Sequence, residues 1–243
     1  MNASHQDTLR IDDELELLAE LVPLADQRIV ELGCGAAALA RRLLLRYPGS
    51  LVTGVEVDAQ QLAKNLAAPQ AGLAFVAGVA QDIAFADGVF DLALMLKSLH
   101  HVPPQAMARA LAETARVLRP GGHLYVSEPV YAGAFNDVMR LFNDEGDARA
   151  AAQAAIDAAI ETGRWEQVAE RRFEMPVSFD DFDDFERRMM RPTFADHQID
   201  DAKLAQVRAA FEPHLRAGAA RFDRPMHVRL LRKPGAGAGA RAG

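Results

Sequence analysis

The residues best suited to chemistry are Glu31, Gly33 and Gly35, within the segment ELGCGAA. An acid closes an apolar run there, two glycines follow with one residue between them, and a helix-forming stretch begins. Glycine lets the backbone turn tightly and lets a ligand approach it, and open α/β sheets bind ligands outside the carboxyl ends of their strands. Glu56 closes the next apolar run in the same way. The pattern indicates a site for a nucleotide-like ligand.

Two ligand classes fit this loop, and Glu31 distinguishes between them. The stretch from Gly33 to Ala38 satisfies the G-x-G-x-x-G/A pattern of nicotinamide dinucleotide sites, where a pyrophosphate lies at a helix N-terminus. A carboxylate two residues before the first glycine is unfavourable for that pyrophosphate, whereas it suits a ligand that presents a cation. S-adenosylmethionine has an amino group and a sulfonium but no phosphate. Glu56 fits the ribose hydroxyls of either ligand, so a dehydrogenase remains the alternative.

The apolar runs and the stretches between them predict the elements that position these residues. Five runs are apolar almost throughout, which is typical of strands covered on both faces of a sheet. They are residues 28–32, 51–57, 73–78, 90–96 and 123–129. Helical patterns separate them at 37–46, 59–67 and 104–118. This alternation predicts a Rossmann-like, doubly wound and mostly parallel α/β sheet.

The rest of the chain divides into further predicted regions. We expect an N-terminal helical segment over 1–24, a cofactor-binding core over 25–130, a helical cap with sheet-completing strands over 131–234, and a disordered tail over 235–243. Strands at 167–179 and 224–233 are expected to complete a seven-stranded sheet whose final strand is antiparallel. Helical stretches at 134–162, 180–190 and 200–217 are expected to lie over the carboxyl edge of the sheet.

Between residues 28 and 130 the chain resembles the class I S-adenosylmethionine-dependent methyltransferases, especially the branch that includes ubiquinone and menaquinone biosynthesis C-methyltransferases. Four motifs in order support the resemblance: ELGCGAA (31–37), TGVEVD (53–58), DGVFDLALMLKSLHHV (87–102) and RVLRPGGHLYVSEP (116–129). The resemblance implies S-adenosyl-L-methionine as cofactor. It also implies the residues that contact the cofactor: Glu31, Gly33, Cys34, Gly35, Glu56, Val57, Val79, Ala80, Gln81, Leu96 and Lys97. Lys97 is expected to lend its backbone carbonyl to the cofactor rather than its amine to chemistry.

One position departs from the family pattern. The family usually has Gly-Asp-Ala after the third strand, with the Asp accepting from the adenine amino group, whereas this chain has GVAQD (78–82) and places Val79 there. Either Gln81 or Asp82 substitutes for that Asp, or packing and backbone contacts such as the Ala80 N–H hold the adenine.

His100, His101 and Tyr131 are the candidate catalytic residues. The two histidines leave the fourth strand toward the site and Tyr131 follows the fifth, so each could act as a base or bond to the acceptor; a structural role is the alternative for each. A base is needed only if the acceptor loses a proton during methyl transfer. Cys34 has no basic neighbour in sequence, so we expect a small loop residue and not a nucleophile. The other histidines show no ligand spacing, and we predict no metal.

Composition limits the class of acceptor and partner. The net charge is −7 and there is a single cysteine, so we expect no nucleic-acid backbone binding and no disulfide framework. Neither a signal peptide nor a membrane span is predicted, and we expect a cytoplasmic monomer or homodimer. Nine of the 12 phenylalanines follow Tyr131. The prediction is therefore a methyltransferase acting on a small, partly apolar molecule. The alternatives are a cofactor-binding protein without methyl transfer and an NAD-dependent dehydrogenase, with RNA or protein methylation as a further variant.

Overall fold

The computed structural model describes residues 9–192 and 197–235. The first eight residues of the predicted helical segment, nearly all of the predicted tail and Phe194 lie outside these ranges. The chain forms two compact units. Of the described residues, the larger unit contains Asp13–Glu128, Ala150–Arg171 and those from Val228 onward. The smaller unit contains those up to Asp12, Pro129–Arg149 and those within Arg172–His227.

The chain contains a mixed β-sheet. Its strands, in the order in which they pair, are β3 (Leu73–Ala77), β2 (Leu51–Glu56), β1 (Arg28–Leu32), β4 (Phe90–Leu96), β5 (Leu118–Pro129), β8 (Ala219–Arg232) and β6 (Glu166–Phe179). A further two-residue strand, β7 (Leu215–Arg216), pairs with β8 and is not part of this strand order. The pairs from β3 through β5 are parallel. Because Gly121 N–H donates to Lys233 O and Lys233 N–H donates to Gly122 O, β8 runs antiparallel to β5.

The described residues contain eight α-helices. They are α1 (Glu14–Leu21), α2 (Ala38–Arg46), α3 (Ala59–Leu66), α4 (Pro104–Val117), α5 (Gly133–Met139), α6 (Gly146–Glu161), α7 (Phe182–Phe185) and α8 (Asp201–Phe211). Short 3-10 turns at Leu99–His101 and Glu212–His214 and a π-helical turn at Glu186–Met190 complete the set. Within the described ranges, no helix has the length and apolar character needed to cross a bilayer.

The apolar runs of the sequence form the core of the larger unit. Ile29, Val30, Ala93 and Leu94 have no exposed surface, as expected for central strands covered on both faces. The predicted doubly wound α/β fold with an antiparallel strand is confirmed. β5 begins five residues earlier than predicted, because Leu118 pairs with Phe90 across an irregularity in the ladder.

The smaller unit is built around phenylalanine. The rings of Phe179, Phe185 and Phe211 are buried, and the Phe179 and Phe185 rings meet edge to face with centroids 5.1 Å apart. Phe135, Phe182 and Phe222 join the same cluster. Aromatic packing therefore uses most of the phenylalanines that follow Tyr131. Their predicted place in a cap over the carboxyl edge of the sheet stays a prediction.

Candidate functional site

The glycine loop leaves β1 through two left-handed residues. Gly33 and Gly35 have φ angles of 69° and 51°. Gly33 N–H and Cys34 N–H both donate to Val55 O on β2, at 2.9 and 3.1 Å. A Cβ at Gly33 would lie 2.9 Å from Ser98 Cβ, a separation that real Cβ atoms do not tolerate. The loop therefore needs glycine at Gly33 for both conformation and space.

Glu56 ties this loop to the end of β2. Its Oε2 accepts from Gly35 N–H at 2.6 Å, and its Oε1 accepts from Val57 N–H at 2.9 Å and from Asp58 N–H at 2.8 Å. A carboxylate has about four acceptor positions, so three backbone bonds fix its orientation and leave little spare capacity. Glu56 thus has a structural task besides the ribose contact predicted for it.

Polar side chains share one face of the sheet at its carboxyl edge. Glu31 is in register with Leu94 on β4, and Leu94 with Tyr125 on β5, so the three side chains point to the same face. Glu56 lies two residues beyond the β2 residue that is in register with Glu31, and Ser127 lies two residues beyond Tyr125. Because side chains alternate along a strand, Glu56 and Ser127 point to that face too. The structure thereby brings Glu31 and Glu56 together, as their positions at the ends of adjacent strands predict.

Glu31 is a buried acid with an incomplete set of hydrogen bonds. The residue is 3% exposed, and its Oε2 has no hydrogen-bond partner among the described residues. Burial raises the pKa of Glu31 from 4.5 to about 8; the Lys97 ammonium opposes this rise, and Glu14 and Glu56 add to it. An unpaired buried carboxyl is costly for folding and suits a site that receives a cation.

Glu14 enters the same site from α1. The helix begins there because the Asp13 side chain caps it, accepting from Leu15 N–H at 2.9 Å. Glu14 Oε1 accepts from the Tyr125 hydroxyl at 3.2 Å, and Glu14 Oε2 lies 3.7 Å from Lys97 Nζ. This acid is buried although it belongs to an otherwise ordinary amphipathic helix.

Leu96 and Lys97 end β4 beside the loop. Lys97 N–H donates to Ser127 O at 2.7 Å, and the residue has a φ of 57°, in the left-handed region that non-glycine residues seldom adopt. Ser98 follows, and its Oγ donates to Leu32 O at 2.7 Å. This bond holds the end of β4 against the start of the glycine loop.

Cys34 is buried within the glycine loop. Burial raises the pKa of its thiol to about 12, and the nearby Glu31 and Glu56 add to the rise. A thiol with such a pKa is almost wholly protonated at neutral pH, so it is a poor nucleophile. Asn65 of α3 fastens the loop by donating from Nδ2 to Gly35 O at 2.7 Å.

The turn after β3 contains Val79, Ala80 and Gln81. Gly78 N–H donates to Glu56 O at 3.2 Å, so the turn starts next to the end of β2. Asp82 N–H donates to Val79 O at 3.2 Å and closes the turn. Val57 is 69% exposed on the neighbouring strand end. The turn and Val57 offer apolar surface and backbone groups beside Glu56.

His100 is held by Glu128 at the end of β5. Glu128 Oε2 pairs with His100 Nδ1, and Glu128 Oε1 accepts from Leu99 N–H at 2.9 Å. Both side chains are buried. A carboxylate only accepts hydrogen bonds, so we assign a proton to His100 Nδ1. The ring of His101, which is exposed, lies with its centroid 4.1 Å from that of His100.

Tyr131 belongs to the smaller unit, unlike every other predicted site residue. Its hydroxyl donates to Asp144 Oδ1 at 2.8 Å, and this bond raises the pKa of Tyr131. The phenolate that a tyrosine base requires is therefore disfavoured.

Several residues of this site escape sequence reasoning. They are Glu14, Asn65, Ser98, Tyr125 and Ser127. The only signal for Glu14 is an acid among the apolar positions of its helix. Ser98 and Ser127 offer no signal, because their roles depend on contacts between distant parts of the chain.

Part of the chain is similar to known methyltransferases. Residues 30–126 match the family model described as a methyltransferase domain. A ubiquinone/menaquinone biosynthesis C-methyltransferase of Paracoccus denitrificans is 34% identical over 116 residues, covering 44% of this chain and 44% of the relative. The 27-O-demethylrifamycin SV methyltransferase of Amycolatopsis mediterranei is 32% identical over 144 residues, covering 55% of this chain and 51% of the relative. The chain thus spans about half the length of these relatives.

The fold is also shared with a solved structure. The YcgJ protein of Bacillus subtilis is 17% identical and superposes with a TM-score of 0.63, covering 90% of this chain and 97% of that one. At this identity the likeness establishes the fold. The family match favours the methyltransferase interpretation over the dehydrogenase alternative. Residues 30–126 of this chain are therefore similar to a methyltransferase domain.

Proposed function

We propose that this protein transfers the methyl group of S-adenosylmethionine to a small, partly apolar acceptor. The observation that carries the proposal is the buried Glu31 carboxyl, whose Oε2 lacks a partner among the described residues at the mouth of the glycine loop. The cofactor presents an ammonium that can donate a hydrogen bond to this oxygen and stabilise the ionised carboxylate. A pyrophosphate offers no such positive charge.

The remaining predicted residues have complementary tasks in this proposal. The turn at Gly33, Cys34 and Gly35 brings the backbone close to the ligand, and Glu56 accepts from the ribose with its spare capacity. Apolar and backbone groups surround the adenine and the methionine chain: Val57, Val79, Ala80, Gln81, Leu96 and Lys97.

The chemistry needs alignment more than activation. The bound cofactor supplies a methyl group already activated by its sulfonium. The chain has to orient the acceptor and exclude water. An acceptor hydroxyl or acidic carbon would also need a base, and His100 is the best placed of the three candidates because Glu128 fixes its tautomer.

The acceptor is inferred from charge and from relatives. Both curated relatives described above are named for small molecules, a quinone and a rifamycin. The net charge of −7 disfavours nucleic acid, whose phosphates require lysine or arginine contacts.

The test supplies methyl-labelled cofactor to the protein together with three fractions of host cells: total RNA, a protein lysate and an organic-solvent extract. Label is expected in low-molecular-weight products of the extract. A Glu31→Gln variant should lose most of this transfer, and Glu16→Gln, which changes an exposed acid of α1, should not. Label confined to RNA or protein would contradict the small-molecule acceptor.

A further inference from the structure

Glu14 and Lys97 form a loose charge pair beside the unpaired oxygen of Glu31. The 3.7 Å between Glu14 Oε2 and Lys97 Nζ is an ionic contact but longer than a hydrogen bond. The Glu14 side chain is 5% exposed and that of Lys97 is 33% exposed, so the acid is fixed inside and the ammonium reaches toward the surface.

The charges at this site do not balance. Glu31 feels the fields of Glu14, Glu56 and Lys97, which gives three carboxyl groups for one ammonium among the described residues. A ligand cation would correct the excess of acid. A ligand carboxylate could enter next to these acids only by pairing with Lys97.

A second buried group points to a ligand here. Ser127 is fully buried, and its Oγ has no hydrogen-bond partner among the described residues. Ser127 shares a sheet face with Tyr125, whose hydroxyl bonds to Glu14. The backbone carbonyl of Ser127 accepts from Lys97 N–H. Two unpaired polar atoms, Glu31 Oε2 and Ser127 Oγ, thus lie on the sheet face that Glu14 covers.

We propose that the Glu14–Lys97 pair opens on binding and receives the two opposite charges of an α-amino acid group. Lys97 takes the carboxylate, and Glu14 joins Glu31 around the ammonium. Without a ligand, the Glu14 carboxylate and the Lys97 ammonium neutralise each other. The two charges of the bound amino acid group then replace this contact. The inference rests on the proposed function, because the amino acid group is that of the cofactor, and it adds two side chains as determinants of ligand specificity.

Three ligands allow the contributions of the ammonium and the carboxylate to binding to be measured separately. S-adenosylmethionine carries both the ammonium and the carboxylate, decarboxylated S-adenosylmethionine keeps only the ammonium, and 5′-methylthioadenosine has neither. Calorimetry on the full chain gives the dissociation constant of each. The wild type should bind the first about 10- to 150-fold more tightly than the second, the range expected for a charge-assisted hydrogen bond.

Variants then assign each charge to its residue. Lys97→Met should weaken S-adenosylmethionine about 10-fold or more and leave the decarboxylated ligand unchanged. Glu14→Gln should weaken both of these ligands and leave 5′-methylthioadenosine unchanged; its amide oxygen still accepts from Tyr125. The matched controls are Glu16→Gln on the same helix and Lys64→Met on α3, which should change nothing.

The outcomes are distinct. The inference would be overturned if the wild type bound the two sulfonium ligands with equal affinity, or if the variants lost affinity equally for all three ligands. The proposed function would still stand in either case. Because the wild-type comparison needs no variant, an unstable Glu14→Gln protein would not block the test. No binding of any of the three ligands by the wild type would instead overturn the proposed function itself.

Discussion

The carboxyl edge of the sheet and the phenylalanine cluster of the smaller unit are both buried, but they differ in what their side chains require. At the edge, Glu31 and Ser127 keep polar atoms without partners among the described residues. In the cluster, the rings of Phe179, Phe185 and Phe211 satisfy one another by packing. Unpaired buried polar atoms indicate the chemistry of a ligand that would pair with them, whereas completed apolar packing does not.

This difference explains why the cofactor can be inferred and the acceptor remains a broad class. In our proposal the acids at the edge select a cation, and their strand positions place that cation at the glycine loop. The phenylalanines can stabilise their unit without any ligand. Exposed arginines even cover the cluster from outside, as Arg208 does over the Phe182 ring at 4.1 Å.

The largest expected effect concerns the pH dependence of stability at the edge. The pKa of Glu31 is about 8 in the folded chain and 4.5 ordinarily, so the folded state binds one proton more between these values. Its contribution to stability is fully present below pH 4.5 and is lost as pH rises through the folded pKa. The loss is about 1.4 kcal/mol per pH unit, approaching about 5 kcal/mol over the window.

Urea unfolding of wild type and Glu31→Gln at several pH values between 5 and 8.5 measures this effect. The free energy of unfolding of the wild type should fall relative to that of the variant as pH rises, because the amide does not titrate. The other charged groups facing Glu31, which are Glu14, Glu56 and Lys97, are present in both proteins. Parallel pH profiles would show that Glu31 ionises normally.

The cluster should respond to loss of volume instead of pH. Phe211 is fully buried, so Phe211→Ala should lower the free energy of unfolding by about 3–5 kcal/mol. At a low temperature, where the Phe211→Ala variant is still folded, its affinity for S-adenosylmethionine should equal that of the wild type. Every residue proposed to hold the cofactor lies in the larger unit. Loss of that affinity in a folded variant would mean that the two regions are not separable in function.

A smaller effect distinguishes the two glycines of the loop. Gly33→Ala adds a left-handed alanine and a collision with Ser98, so it should cost about 2–4 kcal/mol. Gly35→Ala has the same backbone requirement but open space around the added methyl, and about 1 kcal/mol is expected. Thermal unfolding of the two variants side by side gives the comparison, and equal losses would show that the contact with Ser98 is relieved by relaxation.

Sequence reasoning predicts the larger unit better than the smaller one. The bounds of β1 and β4 agree with the prediction to the residue, because both strands are continuous apolar runs. The helix predicted over 134–162 is instead two helices, with Asp144 accepting from Gly146 N–H where the second one begins. The helix predicted over 200–217 ends at Phe211, two residues before Pro213. Both errors overlook local turn chemistry.

The site shows a similar division. Glu31 and Glu56 can be placed from sequence because each ends a strand and adjacent strand ends meet. Glu14 and Ser127 cannot, because their roles depend on how distant parts of the chain pack; Glu14 contacts a residue more than 100 positions away, and Ser127 meets Lys97 across two strands. The contact of Tyr125 with Glu14 is of this kind.

The central claim is that the buried Glu31 carboxyl receives the ammonium of S-adenosylmethionine. Calorimetry at pH 7 in two buffers of different ionisation enthalpy measures both affinity and proton release. The account predicts binding of S-adenosylmethionine but not of NAD or NADP, with close to one proton released, because the ammonium favours the ionised carboxyl. It also predicts that Glu31→Gln loses about 10- to 150-fold in affinity and releases no proton. Binding of NAD in preference, or unchanged affinity and proton release in the variant, would contradict it.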